Sequence, residues 1–158
     1  MKRIGVLFVC LGNICRSPLA EGAFRHLVSE KGIEDRFLID SAATSSWHID
    51  SAPDSRGQNA ALLAGFDISS QRARKLRPDD FEIFHYILAM DRNNLSHMKS
   101  IDPEAPAKVE LLLKYSDRGI LEVPDPYYGD VEDFQATLDL VGSGAKGLLE
   151  AIEREHFS

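Results

Sequence analysis

The chain has 158 residues, of which 44% are hydrophobic and 27% charged, and this composition excludes the disordered, collagenous and low-complexity classes. The length predicts one domain spanning residues 1–158. Because 18 lysines and arginines stand against 25 aspartates and glutamates, the net charge is −7, and the chain lacks the basic surface typical of proteins that bind nucleic acid or anionic membranes.

The apolar runs and the cysteines indicate the cellular setting. No run approaches the roughly 18 apolar residues of a membrane span, and the stretch from Ile4 to Val9 is too short for a signal-peptide core. We therefore expect a cytoplasmic protein. Its two cysteines, Cys10 and Cys15, are too close in sequence to cross-link distant parts of a fold, which favours a role in a site.

The first elements are a strand and a helix joined by a polar loop. Ile4 to Cys10 is a short apolar run rich in β-branched residues, which predicts a strand buried on both faces. Pro18 suits the first turn of a helix, and apolar residues then recur at helical spacing up to Gly32.

Two further strands and two helices are predicted in the middle of the chain. The strands are Phe37 to Asp40 and His85 to Met90. One helix runs from about Ser55 to Ala64, and a short one begins at Pro78. Lys108 to Leu113 fits a fourth strand or a helical turn equally well.

The C-terminal region predicts one long amphipathic helix. Apolar residues from Val131 to Ile152 step by three and four, as on the buried face of a helix that packs on a sheet. Three glycines, Gly142, Gly144 and Gly147, are expected to weaken it locally.

The alternation of strands and helices predicts an α/β fold with a parallel sheet and helices on both faces. Ligands of such sheets bind beyond the carboxyl ends of the strands. The loop after the first strand, the region of Asp91 and the loop from Pro124 to Gly129 should therefore converge on one edge.

The loop after the first strand, CLGNICRSP from Cys10 to Pro18, has the features of an anion site. Unpaired N–H groups and the positive end of a helix favour a bound phosphate there, and Arg16 adds a planar fork. A thiol in that field is expected to ionise, which makes Cys10 a nucleophile at neutral pH. Ser17 can donate a hydrogen bond to the thiolate, and Asn13 can hold the loop through its amide.

An alternative is that Cys10 is a small buried residue that ends a strand. The polar residues Asn13, Arg16 and Ser17 nearby are not expected in an apolar core, so we favour the anion site. The phosphate-binding motifs of nucleoside triphosphate and dinucleotide sites are absent from the sequence.

Three motifs resemble the low-molecular-weight protein tyrosine phosphatases. They are VCLGNICRSPLAE at Val9 to Glu21, DSAATSSW at Asp40 to Trp47, and DPYYG at Asp125 to Gly129. The resemblance covers essentially the whole chain and implies a single domain with a four-stranded parallel sheet flanked by helices.

The resemblance also implies roles for individual residues. Cys10 would take the phosphoryl group as a thiophosphate, Arg16 would hold its oxygens, and Asp125 would be the general acid and then the general base. Without the cysteine loop, Asp125 would be interpreted as a turn residue before Pro126. The phosphate-binding loop would comprise Leu11, Gly12, Asn13, Ile14, Cys15 and Ser17.

Aromatic residues are expected to form the walls of the cleft. In the family the tyrosines matching Tyr127 and Tyr128 line the cleft, and Trp47 matches the opposite wall; a partly buried core tryptophan and surface tyrosines are the alternatives. Ser41 and Asp91 match supporting positions at strand ends, or they are polar residues that simply terminate strands.

The five histidines are scattered, with no spacing that resembles a zinc site, so we expect surface or packing roles for them and neither metal nor cofactor for the protein. They are His26, His48, His85, His97 and His156.

The expected substrate is phosphotyrosine in proteins, together with aryl phosphates. Some related bacterial enzymes are protein-arginine phosphatases with threonine where Ile14 stands, and the apolar Ile14 favours the phosphotyrosine ring. Related arsenate reductases use further cysteines, whereas this chain has two, with Ala89 at a position where many relatives carry cysteine. A module that only binds phosphate is the alternative outside enzymes.

The two cysteines are expected to have a redox function. A loop wrapped around one phosphate brings its ends together, and the resemblance supports a reversible disulfide between Cys10 and Cys15 that switches the enzyme off. We expect a phosphotyrosine protein as substrate, phosphate or another oxyanion in the loop, no nucleic acid or membrane partner, and a monomer or weak homodimer.

Overall fold

Four parallel strands form the sheet in a computed structural model, which describes residues 2–157. The strands are β1 (Ile4–Cys10), β2 (Phe37–Ala43), β3 (Tyr86–Ala89) and β4 (Lys108–Leu111). Their order is β2-β1-β3-β4, so the chain leaves β1 on one side and later returns to its other side. The carboxyl end of β1 therefore lies at the point where parallel sheets bind ligands.

Helices cover both faces of this sheet, which confirms the predicted fold class. The helices are α1 (Arg16–Glu30), α2 (Ser55–Leu63), α3 (Asp80–Ile83), α4 (Arg92–Ile101) and α5 (Val131–His156). Alternate residues of β1 point to opposite faces. Phe8 is buried in the cluster that contains α1 and α5, whereas Leu7 is buried in the cluster that contains Phe81 of α3 and Met98 of α4.

The structure differs from the predicted elements in three places. Strand β2 continues beyond its predicted end at Asp40 to Ala43. The segment Lys108 to Leu113, predicted as a strand or a helical turn, contains both. Strand β4 ends at Leu111, and a 3₁₀ turn follows over Leu112–Tyr115. Helix α4 was not predicted, although Asp91 and Asn94 form a capping box at its start.

The glycines of α5 do not interrupt the helix, which runs unbroken over Val131–His156. A Cβ atom at Gly147 would lie 1.8 Å from the carbonyl oxygen of Tyr115, and one at Gly144 would lie 2.8 Å from Cγ of Leu112. These positions let α5 pack directly on the 3₁₀ turn. Across residues 2–157, no helix is both long enough and apolar enough to cross a membrane.

Candidate active site

Asn13 supports the loop between β1 and α1 from inside. Its φ angle of 57° lies in the left-handed region, which asparagine tolerates better than most residues. Its side-chain Nδ2 donates to Oγ of Ser17 at 2.7 Å and to Oγ of Ser41 at 2.9 Å. Its Oδ1 accepts the backbone N–H of Arg74 at 3.1 Å. The predicted role of Asn13 in holding the loop agrees with these contacts.

Two donors converge on the sulfur of Cys10. The backbone N–H of Asn13 points to Sγ at 3.3 Å, and Oγ of Ser17 lies 3.0 Å from Sγ. Because the Ser17 hydroxyl already accepts a hydrogen bond from Asn13, its own hydrogen is free to donate to Cys10. Both contacts stabilise negative charge on this sulfur.

A buried polar chain continues behind Asn13. Ser41 donates to Oε1 of Glu21 at 2.7 Å, and Oε2 of Glu21 accepts from Nε of Arg25 at 2.8 Å. Burial raises the pKa of Glu21 above its ordinary value. Ser41, which lies within β2, is therefore part of the support of the loop, one of the two roles that the sequence left open.

The start of α1 faces the same loop. Among the described residues no side chain caps this helix, so its first backbone N–H groups have neither a cap nor an intrahelical acceptor. The carbonyl groups of Cys10 and Leu11 accept from the N–H groups of Thr44 and Ser45, at 2.9 and 3.0 Å. The loop is thus held from the β2 side while its amides remain available to an anion.

Arg16 is buried and has two partners, one directly after β3 and one in the segment that leads to Asp125. Its Nη1 donates to Oδ2 of Asp91 at 2.6 Å and to the carbonyl oxygen of Val123 at 3.0 Å. Burial opposes the charge of Arg16, but the Cys10 sulfur and the carboxylates of Asp91 and Asp125 outweigh burial and raise the pKa of the guanidinium. Arg16 therefore carries a full positive charge beside the cysteine.

Asp125 lies on the other side of this arginine. Its Oδ2 is 3.7 Å from Nη2 of Arg16, and its Oδ1 accepts the backbone N–H of Tyr127 at 3.1 Å. The side chain of Asp125 is 44% exposed, so a substrate oxygen can reach it. The three loops predicted to converge at one sheet edge do so.

A cavity of about 310 Å³ joins these groups. Trp47, Tyr127 and Tyr128 line it together with Cys10 and Asp125. The rest of its lining is Leu11, Gly12, Ile14, Cys15, Arg16 and His48.

The aromatic residues form the rim of the cavity. Trp47 is 71% exposed and Tyr128 is 97% exposed, so Trp47 is not a core residue. His48 also lines the cavity, with its ring centroid 6.1 Å from that of Tyr127. No sequence motif pointed to His48 as part of the cavity, and our assignment of a surface or packing role missed this position.

A larger open groove, of about 830 Å³, runs along α1 and α5. Its lining combines basic and acidic residues, and includes neither cysteine and neither Asp91 nor Asp125. The groups that can perform chemistry are therefore gathered in the smaller cavity.

The two cysteines differ in their surroundings. Both are buried and free. Burial raises the pKa of the Cys15 thiol, and the nearby Cys10, Asp54 and Asp125 raise it further. Cys15 therefore remains a neutral thiol, whereas Cys10 has donors directed at its sulfur.

Comparison with known proteins assigns the family. The model of the low molecular weight phosphotyrosine protein phosphatases matches residues 5–157. The chain belongs to this family. The predicted family is thereby confirmed, and with it the four-stranded parallel sheet and flanking helices that the resemblance implied.

Individual relatives are similar over nearly their whole length. A low molecular weight phosphotyrosine protein phosphatase of Gallus gallus is 44% identical, over 92% of this chain and 93% of that protein. The crystal structure of YfkJ from Bacillus subtilis superposes with a TM-score of 0.92 at 37% identity, covering 99% of this chain and 98% of the other. A Drosophila arginine phosphatase structure has a TM-score of 0.87 at 33% identity, covering 97% and 98%.

Proposed function

We propose that this family member hydrolyses phosphotyrosine in proteins, with Cys10 as nucleophile, Arg16 as the group that holds phosphate oxygens, and Asp125 as general acid and base. The observation that carries the proposal is the placement of Asp125 and Arg16 over the loop of Cys10, with Oδ2 of the aspartate 3.7 Å from Nη2 of the arginine. A proton donor and an anion binder thus face the same small space.

The first step transfers the phosphoryl group to the enzyme. The Cys10 thiolate attacks phosphorus, so an S–P bond forms while the bond from phosphorus to the tyrosyl oxygen breaks. Asp125 gives its proton to that oxygen, which leaves as neutral tyrosine. Arg16 and the amides of the loop, from Leu11 to Ser17, bind the three phosphate oxygens in this step.

The second step releases phosphate. Asp125, now a carboxylate, takes a proton from a water molecule whose oxygen attacks phosphorus as the S–P bond breaks. The two hydrogen bonds to Cys10, from Asn13 and Ser17, stabilise the sulfur as a leaving group. Two moderate barriers therefore replace one high barrier.

The cavity walls favour an aromatic ester. Ile14 and Trp47 offer apolar surface, and Tyr127 adds an aromatic side chain. A phosphotyrosine ring is planar and apolar, and aromatic pairs gain about 0.5–1.5 kcal/mol beyond the area they bury. The guanidinium of phosphoarginine is polar, so an isoleucine wall offers it no hydrogen bond.

Phosphoarginine is the second candidate substrate, because a structural neighbour at 33% identity is described as an arginine phosphatase. The test is hydrolysis of matched phosphotyrosine, phosphoserine and phosphoarginine peptides, with p-nitrophenyl phosphate as a simple aryl ester. Preference for phosphotyrosine supports the proposal, whereas preference for phosphoarginine overturns the substrate assignment. Tight phosphate binding without turnover of any ester would make the protein a binding module.

We also propose that Cys10 and Cys15 form a reversible disulfide. Both thiols are buried in one short loop, and Cys10 is close enough to raise the pKa of Cys15. Peroxide would oxidise the Cys10 thiolate to a sulfenic acid, and the Cys15 thiol would displace water from it to form the disulfide. Thiols of the cytoplasm, where we place the protein, would reduce this bond and restore Cys10.

A further inference from the structure

Asp54, the residue before α2, is bonded to the nucleophile loop. Its backbone N–H donates to the carbonyl oxygen of Ile14 at 2.8 Å. Its carboxylate caps α2 by accepting the backbone N–H of Arg56 at 2.9 Å. The start of α2 is therefore fixed to the loop that contains Cys10.

The Arg56 guanidinium connects this position to the loop of Asp125. Its Nε and Nη2 bind the two carboxylate oxygens of Asp54 at 3.0 and 2.9 Å. Its Nη1 donates to the carbonyl oxygen of Gly129 at 2.8 Å, and Nη2 also donates to that of Tyr127 at 2.9 Å. The guanidinium lies over the Phe134 ring, with its carbon 4.4 Å from the ring centroid.

The bond to Tyr127 leads directly to the general acid. Tyr127 accepts from Arg56 through its carbonyl oxygen and donates to Oδ1 of Asp125 through its N–H. A continuous set of hydrogen bonds thus runs from Ile14 through Asp54, Arg56 and Tyr127 to Asp125. Within residues 2–157, the lining of the active-site cavity does not include Arg56 or Asp54, so neither is placed to touch the substrate.

We propose that Arg56, held by Asp54, is a positioning residue that sets the distance between the Asp125 carboxyl group and the nucleophile loop. The proposal rests on the proposed role of Asp125. Only a guanidinium can satisfy this geometry, because it supplies a rigid fork for the carboxylate and further N–H groups for two carbonyl oxygens. Removing it leaves Cys10 and Arg16 in place and frees the loop that carries the acid.

The effect of Arg56 should depend on the leaving group. Tyrosine is a poor leaving group that needs a proton, whereas p-nitrophenol is more acidic and needs it less. In Arg56→Ala we expect kcat/KM for a phosphotyrosine peptide to fall about 10- to 100-fold, the cost of misplacing a catalytic group by about 1 Å. We expect kcat/KM for p-nitrophenyl phosphate and the affinity for vanadate each to fall by less than about threefold.

Double substitution separates positioning from structural support. In an Asp125→Asn background, Arg56→Ala should change kcat/KM by less than about twofold, because its effect passes through the missing acid. Arg118→Ala is the matched control, since Arg118 also forks onto one aspartate, Asp139, on the surface away from the cavity. It should leave both esters unaffected.

Two milder variants guard against unfolding. Arg56→Lys keeps the charge but not the fork, and Asp54→Asn keeps a capping oxygen but not the charged partner of the guanidinium. In both variants kcat/KM should again fall more for phosphotyrosine than for p-nitrophenyl phosphate, but by a smaller factor than in Arg56→Ala. Their melting temperature should be unchanged. Equal losses for both esters, or additive losses in the Asp125→Asn background, would overturn the positioning role.

The outcome also distinguishes this proposal from the proposed function. If Asp125→Asn alters the ratio of the two esters and Arg56→Ala does not, only the role of Arg56 fails. If Asp125→Asn leaves that ratio unchanged, Asp125 is not the acid and both proposals fail.

Discussion

The hydroxyl oxygen of Ser17 lies 3.0 Å from the sulfur of Cys10, and Asn13 fixes the direction of that contact. Nδ2 of Asn13 donates to the serine oxygen, and Oδ1 of the same amide accepts from Arg74, so the amide cannot rotate without losing both bonds. The serine hydrogen is therefore directed at the sulfur. Negative charge on the sulfur is thus stabilised by groups beneath the loop.

Ser17→Ala should slow the release of phosphate from Cys10, because the sulfur loses a donor that stabilises it as a leaving group. A hydrogen bond to a charged group contributes about 1.5–3 kcal/mol, which corresponds to a loss of about 10- to 150-fold in rate. The kcat for p-nitrophenyl phosphate measures this loss. Ser45→Ala is the control, because Ser45 bonds the Leu11 carbonyl and not the sulfur. An unchanged kcat in Ser17→Ala would contradict the assigned direction of the bond.

Cys10→Ser and Arg16→Ala should separate chemistry from binding. Cys10→Ser should abolish turnover while vanadate still binds, because the loop amides and Arg16 remain and a serine hydroxyl has no base to ionise it. Arg16→Ala should lose turnover and weaken vanadate binding by about tenfold or more. Calorimetric titration with vanadate and a turnover assay give the two readouts. Residual turnover by Cys10→Ser would exclude Cys10 as the nucleophile.

Ile14→Thr should shift the balance between substrates. Replacing an apolar wall with a hydroxyl removes contact with the tyrosyl ring and offers a hydrogen bond to a guanidinium, so the ratio of phosphoarginine to phosphotyrosine turnover should rise by about tenfold. Ile14→Val, which keeps an apolar branched side chain, should leave the ratio nearly unchanged. If the wild-type protein already prefers phosphoarginine, Ile14 does not select the substrate.

The sequence predicts the fold best where local patterns act alone. The run Ile4–Cys10 predicts β1 correctly because a buried parallel strand is apolar throughout. Helix α4 was missed because it has only three apolar residues, Leu95, Met98 and Ile101. The signal that identifies it is the capping box of Asp91 and Asn94. The close packing at Gly147 was not predicted, because Tyr115, whose carbonyl oxygen would lie against an added Cβ there, is far away in the chain.

The same limit applies to the site. Cys10, Arg16 and Ser17 lie in one short motif, so the sequence alone places them together. His48 reaches the cavity only because the segment after β2 folds over the loop, so closely that a Cβ added at Gly12 would lie 3.0 Å from its ring. No local motif predicts the contacts of Arg56, because its carbonyl partners on Tyr127 and Gly129 lie 71 and 73 residues away in the chain.

His85 should make the stability of the fold depend on pH. Its Nδ1 accepts the backbone N–H of Gly5 at 2.8 Å and therefore must be unprotonated. Burial lowers the pKa of His85, and the charges of Lys2 and His156 lower it further. The unfolded chain therefore binds a proton at His85 more readily than the folded protein does. The stability contributed by neutral His85 is present above about pH 6.5 and is lost as the pH falls below that value.

His85→Gln should therefore flatten the dependence of stability on pH between about pH 7 and pH 5, because glutamine does not titrate. Urea unfolding at several pH values measures the free energy of unfolding in each variant. His97→Gln is the matched control, since His97 is exposed on α4. A wild-type slope that persists in His85→Gln would exclude this histidine as its source.

Cys15→Ser should convert reversible oxidation into permanent inactivation. In the wild-type protein, peroxide gives a Cys10 sulfenic acid that Cys15 captures, with a net loss of two hydrogens, about 2 Da, and dithiothreitol should restore activity. In the variant no thiol captures the sulfenic acid, so further oxidation adds oxygen in steps of about 16 Da and activity stays lost. Intact mass and activity are followed after peroxide and again after dithiothreitol. Because burial keeps Cys15 as a neutral thiol, capture should also become faster as the pH rises. Equal recovery of the two proteins would leave Cys15 as a packing residue beneath the loop.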